Sequence, residues 1–316
     1  MLEALLVIWI FLALLIVWEQ RIIRIVIYLG VFSLISAACY LLLGSPDVAM
    51  AEAAATAFVT VFFIVCLEKH FGLNYIRKDR RSADKAPNPV RNRFKFKQHG
   101  LPLILAVSML FLFIYYIPDC NANSFLKNQY ITRFMSDVEG KNVVTAIYLG
   151  YRVYDTLFEA LVLIISVTAV THLSAFDDSD VKERKRVELE KSGMAVYTMR
   201  IISPILLLFG VYIIANGHIS PGGGFQGGLA ISSFYICRYM IYSIHDLSVA
   251  KLNRLEDLVF TGITLIAVSV IFLGDVVDFM KTNGVLYLTV MNAFIGLKVA
   301  CGFTILFYRY VAVERE

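Results

Sequence analysis

Seven ionisable side chains, Asp47, Glu52, Arg152, Asp155, Glu159, His218 and Lys298, stand inside or at the edge of long apolar runs. A charge at membrane depth costs about 2.5–3.5 kcal/mol on insertion scales, so each such group needs either a compensating partner or a use. The use that fits these residue types is the transfer of protons or small cations. Carboxylates, a lysine and an imidazole can all take up and release a proton, and carboxylates also bind a cation.

The first group lies in GSPDVAMAEAAATA, residues 44–57. Pro46 and Asp47 sit at the outer mouth of a helix, where Asp47 either complements the helix dipole or takes part in ion movement. Glu52 lies about a turn and a half further in at 3.6 residues per turn. Its neighbours Ala51, Ala53, Ala54, Ala55 and Ala57 form a small-residue face that another helix can approach closely. Glu52 on such a packed, partly dry face is a candidate proton or cation relay.

The second group lies in NVVTAIYLGYRVYDTLFEA, residues 142–160. Spacings of three and four place Arg152, Asp155 and Glu159 on one stripe of a helix. Two readings are open. Arg152 compensates both carboxylates so that all three can be buried, or it holds one carboxylate ionised while the other titrates. The third group is Lys298 in MNAFIGLKVACGF, near the midpoint of an apolar run and too deep to snorkel. It is either a proton exchanger or the partner of a carboxylate on another helix.

The fourth is ANGHISPGGGFQGG, residues 215–228. It lacks the GK[ST] of a phosphate-binding loop. Proline cannot continue the preceding helix, and glycine permits positive φ and close backbone approach. Pro221, Gly222, Gly223, Gly224, Phe225, Gly227 and Gly228 therefore form either a broken-helix wall of a polar cavity, with His218 as a proton acceptor at its mouth, or a tight turn joining two spans. Non-helical backbone at membrane depth must be covered by protein or water.

These groups are positioned by a membrane-embedded chain. Of 316 residues 59% are apolar and 17% charged, and the mean hydropathy is +0.70, far from the usage of soluble domains. Apolar runs of spanning length fall near 3–18, 22–43, 48–67, 101–117, 153–173, 201–216, 225–244, 257–274 and 286–308. The fold expected is all-α, a polytopic membrane protein with about nine transmembrane helices in three small bundles. Of the 29 basic residues, 23 fall in loops on one side of that scheme and four on the other. By the positive-inside rule the N-terminus is outside and the C-terminus cytoplasmic. Met1 to Val17 has Glu3 and no basic residue ahead of its apolar core, and reads as a retained first helix.

Two charged stretches divide the chain into a three-helix module (1–75), a basic cytoplasmic linker (76–100), a two-helix module (101–176), a charged cytoplasmic linker (177–199) and a four-helix module (200–316). The linkers are topology signals, and nucleic-acid binding is not expected. The five cysteines, Cys39, Cys66, Cys120, Cys237 and Cys301, lack the spacing of a haem, iron–sulfur or zinc motif. No cofactor is expected in this chain and no metal site, and Na+ and H+ are the candidate transported ions.

GSPDVAMAEAA, NVVTAIYLGYRVYDTLFEA and GHISPGGGFQGG resemble three signatures of Mrp-type multisubunit sodium/proton antiporters and of the related membrane arms of membrane-bound hydrogenases. The first two resemble C-terminal segments of the large antiporter subunit, and the third the small B subunit. The resemblance implies a role in coupling ion movement through a polar axis of buried charges, alongside antiporter-like subunits in the cell membrane. It assigns that axis to Asp47 and Glu52, to Arg152, Asp155 and Glu159, and to His218 with Pro221 to Gly228. The second motif departs from the family pattern, close to VDFRGFDTLGE, in having Gly150 in place of an aspartate and Val153 and Phe158 in place of glycines. With Lys298, which resembles the hydrogenase-type version, this favours a redox-linked complex with hydrogenase-like iron–sulfur partners over a stand-alone antiporter. A third alternative is a scaffold whose charges are all structural.

Overall fold

The computed structural model describes residues 1–83, 104, 107–112, 115, 124–175, 193–242, 249–272 and 276–312. Most of the span expected at 101–117, Cys120, and the linker residues 84–100 and 177–192 lie outside the described residues. Among the described residues there is no strand. The helices are α1 (Leu2–Trp18), α2 (Ile22–Leu42), α3 (Pro46–Ala83), α4 (Ser124–Val138), α5 (Val143–Thr145), a π-helix (Ala146–Tyr151), α6 (Val153–Ala175), α7 (Gly193–Asn216), α8 (Gly224–Tyr242), α9 (Val249–Phe272) and α10 (Val276–Ala312).

Five of these are long and apolar enough to cross a membrane: α2, Pro46–Leu67 of α3, Val153–Leu173 of α6, Val196–Asn216 of α7 and Asn283–Val311 of α10. The apolar α1 is shorter. Two expected boundaries move. α3 runs on through Ala83, because no proline interrupts it before Pro87, so the basic linker begins in helix. α7 begins at Gly193, seven residues before the expected four-helix module.

Helix ends follow local chemistry. Gly44, at φ 75, closes α2, and the Gly44 and Ser45 amides donate to the Leu41 and Tyr40 carbonyls at 3.1 and 2.9 Å. This Schellman pattern satisfies carbonyls that would otherwise be orphaned. Pro46 then opens α3, a position where its missing N–H costs nothing. Pro204 lies inside α7, and α10 is kinked at Asn283 (φ −135, ψ 22).

The chain divides into two compact units, residues 1–70 with 133–316, and residues 71–132. In the first, apolar side chains from α3, α6, α8, α9 and α10 share one buried cluster. Phe58 and Phe62 of α3 meet Phe303 and Phe307 of α10 edge-on, with centroids 5.0 and 6.1 Å apart. Close packing rests on small residues, as expected where lipid removes the hydrophobic drive between helices. A Cβ on Gly210 of α7 would meet the Gly227 carbonyl at 2.8 Å, and one on Gly228 of α8 would meet the Gly296 carbonyl at 2.6 Å. The second unit holds the distal part of α3, the described residues 104–115 and the start of α4; Phe111 and Tyr115 stack there at 6.4 Å.

Candidate functional site

The three sequence motifs converge at one point. Asp47, in the first turn of α3, is buried, and its Oδ1 accepts hydrogen bonds from Asn142 Nδ2 (3.0 Å) and from the Gly222 amide (3.0 Å). Asn142 is the cap of α5. Its Oδ1 accepts the Val144 amide (2.9 Å), while its Nδ2 also reaches the carbonyls of Ser220 (3.0 Å) and Gly217 (3.3 Å). Thr145 Oγ1 donates to Gly217 O (2.7 Å), and the Lys141 and Asn142 amides donate to His218 O. On the far side, Asn292 Oδ1 of α10 accepts the Gly224 amide (3.1 Å) and the Tyr148 hydroxyl (3.0 Å).

The glycine stretch is therefore a clamped knot. Residues 217–223 form the turn, and Gly224, Phe225, Gly227 and Gly228 are the first turns of α8. Backbone groups expected to be met by water in a cavity are met by Asp47, Asn142, Thr145 and Asn292. Gly222, at φ 126, adopts a conformation that side chains rarely reach. Gly223 has no room for a Cβ, because the Tyr148 hydroxyl occupies that space. Pro221 is exposed at the rim. His218 is half-buried, its ring Nδ1 3.4 Å from Thr289 Oγ1.

The second motif is interrupted by its π-helix. Arg152 N donates to Ile147 O at 2.8 Å, an i to i−5 bond. Carbonyls displaced from the regular ladder find hydroxyls: Thr156 Oγ1 donates to Tyr148 O (2.7 Å), and Tyr287 OH donates to Leu149 O (2.9 Å). Such single-turn insertions persist where their polar groups are satisfied and often mark functional positions. The π turn also corrects the expected charge stripe. Arg152 stands outside the helix and pairs with Asp155 (2.5 Å), both side chains more than half exposed. It does not bury the two carboxylates together, and Glu159 makes no hydrogen bond or ion pair among the described residues.

Glu159 instead faces a cleft of about 300 Å³ lined by Thr156, Leu163, Phe225, Ile295 and Lys298, among others. Lys298, 1% exposed, points its Nζ at Glu256 Oε1 of α9 (2.7 Å; 2% exposed) and lies 5.4 Å from the Phe260 ring centroid. Glu256 escapes sequence reasoning because Lys251, Arg254, Glu256 and Asp257 together look like a loop, so the span is drawn from 257. The helix in fact starts at Val249, which carries Glu256 into the packed region. Glu52, half-buried, accepts a hydrogen bond from Ser33 of α2, and Thr56 Oγ1 contacts Ser33 Oγ and donates to Glu52 O (2.8 Å). α2 meets α3 along Glu52, Thr56 and Thr60, with Gly30 set against Thr60, whereas Ala54 and Ala55 pack against the buried cluster. Asn142 and Asn292 are the other missed residues. Asn142 is legible as a cap before Val143, whereas Asn292 has no local signal.

Comparison with known proteins agrees with this layout. Residues 194–313 match the family of domains related to the MnhB subunit of Na+/H+ antiporter, and residues 7–71 match MbhD, the D subunit of MBH. A Rhizobium meliloti protein described as the A/B subunit of a probable K(+)/H(+) antiporter is 24% identical over 68% of this chain, which spans 23% of that protein. Among solved structures, a chain of the membrane-bound sulfane sulfur reductase, an archaeal respiratory membrane complex, aligns with a TM-score of 0.56 and 22% identity, over 67% of this chain and 96% of its own. A chain of the Mrp complex from Dietzia sp. DQ12-45-1b aligns with a TM-score of 0.65 and 16% identity, over 95% of this chain and 34% of its own. At such identities these two share the fold.

Proposed function

We propose, from the resemblance to the membrane subunits of Mrp-type antiporters and of membrane-bound hydrogenases that the matched domains support, that this chain is a non-redox membrane component of a complex I-like, redox-driven ion-translocating assembly. The assembly is of the membrane-bound hydrogenase type, and the chain contributes to Na+/H+ exchange in the cell membrane. The observation that carries the proposal is the Lys298–Glu256 pair, enclosed in the MnhB-like segment, whose lysine lines the same cleft as Glu159. Two ionisable groups lining one cleft, with a third buried behind the lysine as its partner, are costly in apolar helices, and charge movement is the use that justifies them. Glu52 with its two hydroxyls is a second relay candidate, and Asp155 and His218 lie toward the ends of the path. Nine crossings with the N-terminus outside and the C-terminus inside complete the scheme.

The redox-driven form is favoured by the MbhD match and by the near-complete coverage of a chain from a respiratory membrane complex. A stand-alone Mrp-type antiporter driven by the proton gradient is the second reading, favoured by the Rhizobium meliloti relative. Isolation in mild detergent tests the choice. Co-purification with hydrogenase-like iron–sulfur subunits supports the first, and a complex holding antiporter-like subunits without them supports the second. The chain alone, in liposomes, should show neither redox activity nor antiport.

A further inference from the structure

Glu159 is an exposed carboxylate within the Val153–Leu173 span, and no side chain of the described residues neutralises it. Arg152, before the start of α6, and Lys298, which lines the same cleft, are both engaged, by Asp155 at 2.5 Å and by Glu256 at 2.7 Å. The rest of the exposed face of α6 is greasy: Tyr154, Phe158, Val162 and Ile165 are each more than half exposed. The chain's own apolar run at 101–117 has no lysine or arginine, so it cannot supply the missing charge wherever it lies. A carboxylate in that setting does not face lipid at equilibrium.

We propose that a transmembrane helix of a different protein in the assembly packs on this face of α6 and inserts a lysine or arginine into the cleft, where it pairs with Glu159. The inference rests on the reading of the chain as one member of a hetero-oligomeric membrane assembly. It adds the docking face, the charge of the partner and the side chain that recognises it. The cleft suits that occupant. Its floor of Ile295, Val299 and Phe303 receives the aliphatic stem of a long basic side chain, and Glu159 at the wall receives its head. An uncharged helix would cover the apolar face and still leave Glu159 unpaired.

The test places the photo-crosslinking residue p-benzoylphenylalanine at Val162, which is exposed and lines the cleft, in cells that express the whole complex. The expected product is a crosslink to a membrane-spanning peptide of another protein of the complex that contains a lysine or arginine. Glu159→Lys should lower recovery of that partner with this chain by about an order of magnitude. Reversing the partner's basic residue to glutamate should restore it, which a folding defect would not allow. Crosslinks to lipid alone, to a second copy of this chain, or to a helix without a basic residue overturn the proposal while leaving the assembly reading intact. So does Glu159→Lys with undiminished recovery. Failure of any other protein to co-isolate with the unaltered chain overturns both.

Discussion

The knot at Asp47 and the cleft at Lys298 are both polar regions in an apolar protein, and they spend their polar groups in opposite ways. At the knot, neutral amides, backbone groups and one carboxylate form a network drawn from three sequence motifs, in which Asp47 Oδ1 and both atoms of the Asn142 amide are used. At the cleft, Lys298 is taken up by Glu256 behind it, and Glu159 has no partner among the described residues of this chain. A densely bonded network fixes helix positions, since losing an acceptor such as Asp47 orphans a buried amide, although Asn292 Nδ2 is buried without a partner among the described residues. An unbalanced set of charges can be redistributed by a proton or a cation. The conspicuous glycine loop is thus architectural, and the less conspicuous acidic and basic residues are the candidates for ion coupling.

Substitutions can break or sharpen that contrast. The largest effect expected is from Lys298→Met, which leaves Glu256 alone at 2% exposure and costs about 3–5 kcal/mol. The protein should be lost from the membrane fraction. Adding Glu256→Gln should recover folding, as seen in the thermal midpoint in detergent, without recovering transport. If the single variant folds normally and pumps, the pair is not the cleft's charge carrier.

Gly223→Val comes next. It drives a branched side chain into the Tyr148 hydroxyl at a backbone φ of 158, so assembly and transport should fall together. Transport lost from a fully assembled complex would instead make the loop a working cavity wall. Asp47→Ala orphans the Gly222 amide, at about 1–3 kcal/mol, and leaves Asn142 Nδ2 with the Ser220 and Gly217 carbonyls alone. Asp47→Asn, by contrast, keeps an oxygen where Oδ1 accepts both bonds and should retain yield and transport. Parallel measurement of the two variants separates a hydrogen-bond acceptor from an ionisable relay.

How much of this was legible in the sequence differs between the two regions. Long apolar runs located the helices well, because spanning length and apolarity are local properties; α2 and α6 lie within a few residues of the runs that predicted them. The knot was half visible. Its glycines, Asp47 and the 142–160 motif stand out, but their meeting is a tertiary fact, as is the choice of Asn292 as the fourth member. The charge stripe holds only in part, since the 3.6-residue period assumes an uninterrupted helix, and Arg152 has a non-helical backbone (φ −126, ψ 41) between the π turn and α6 and pairs with Asp155 alone. Glu256 was hidden by its charged neighbours, which mark a loop by composition although tertiary packing holds them in helix.

The smallest structural change tests the central claim most directly. Glu52→Gln keeps side-chain shape and can keep the hydrogen bond from Ser33, while removing the ionisable group. Na+-dependent proton movement should be measured in inverted membrane vesicles carrying the assembled complex, beside the amount of complex present. The account predicts normal assembly with strongly reduced coupled ion movement. An equal amount of complex with undiminished transport would contradict it and return Glu52 to a packing role.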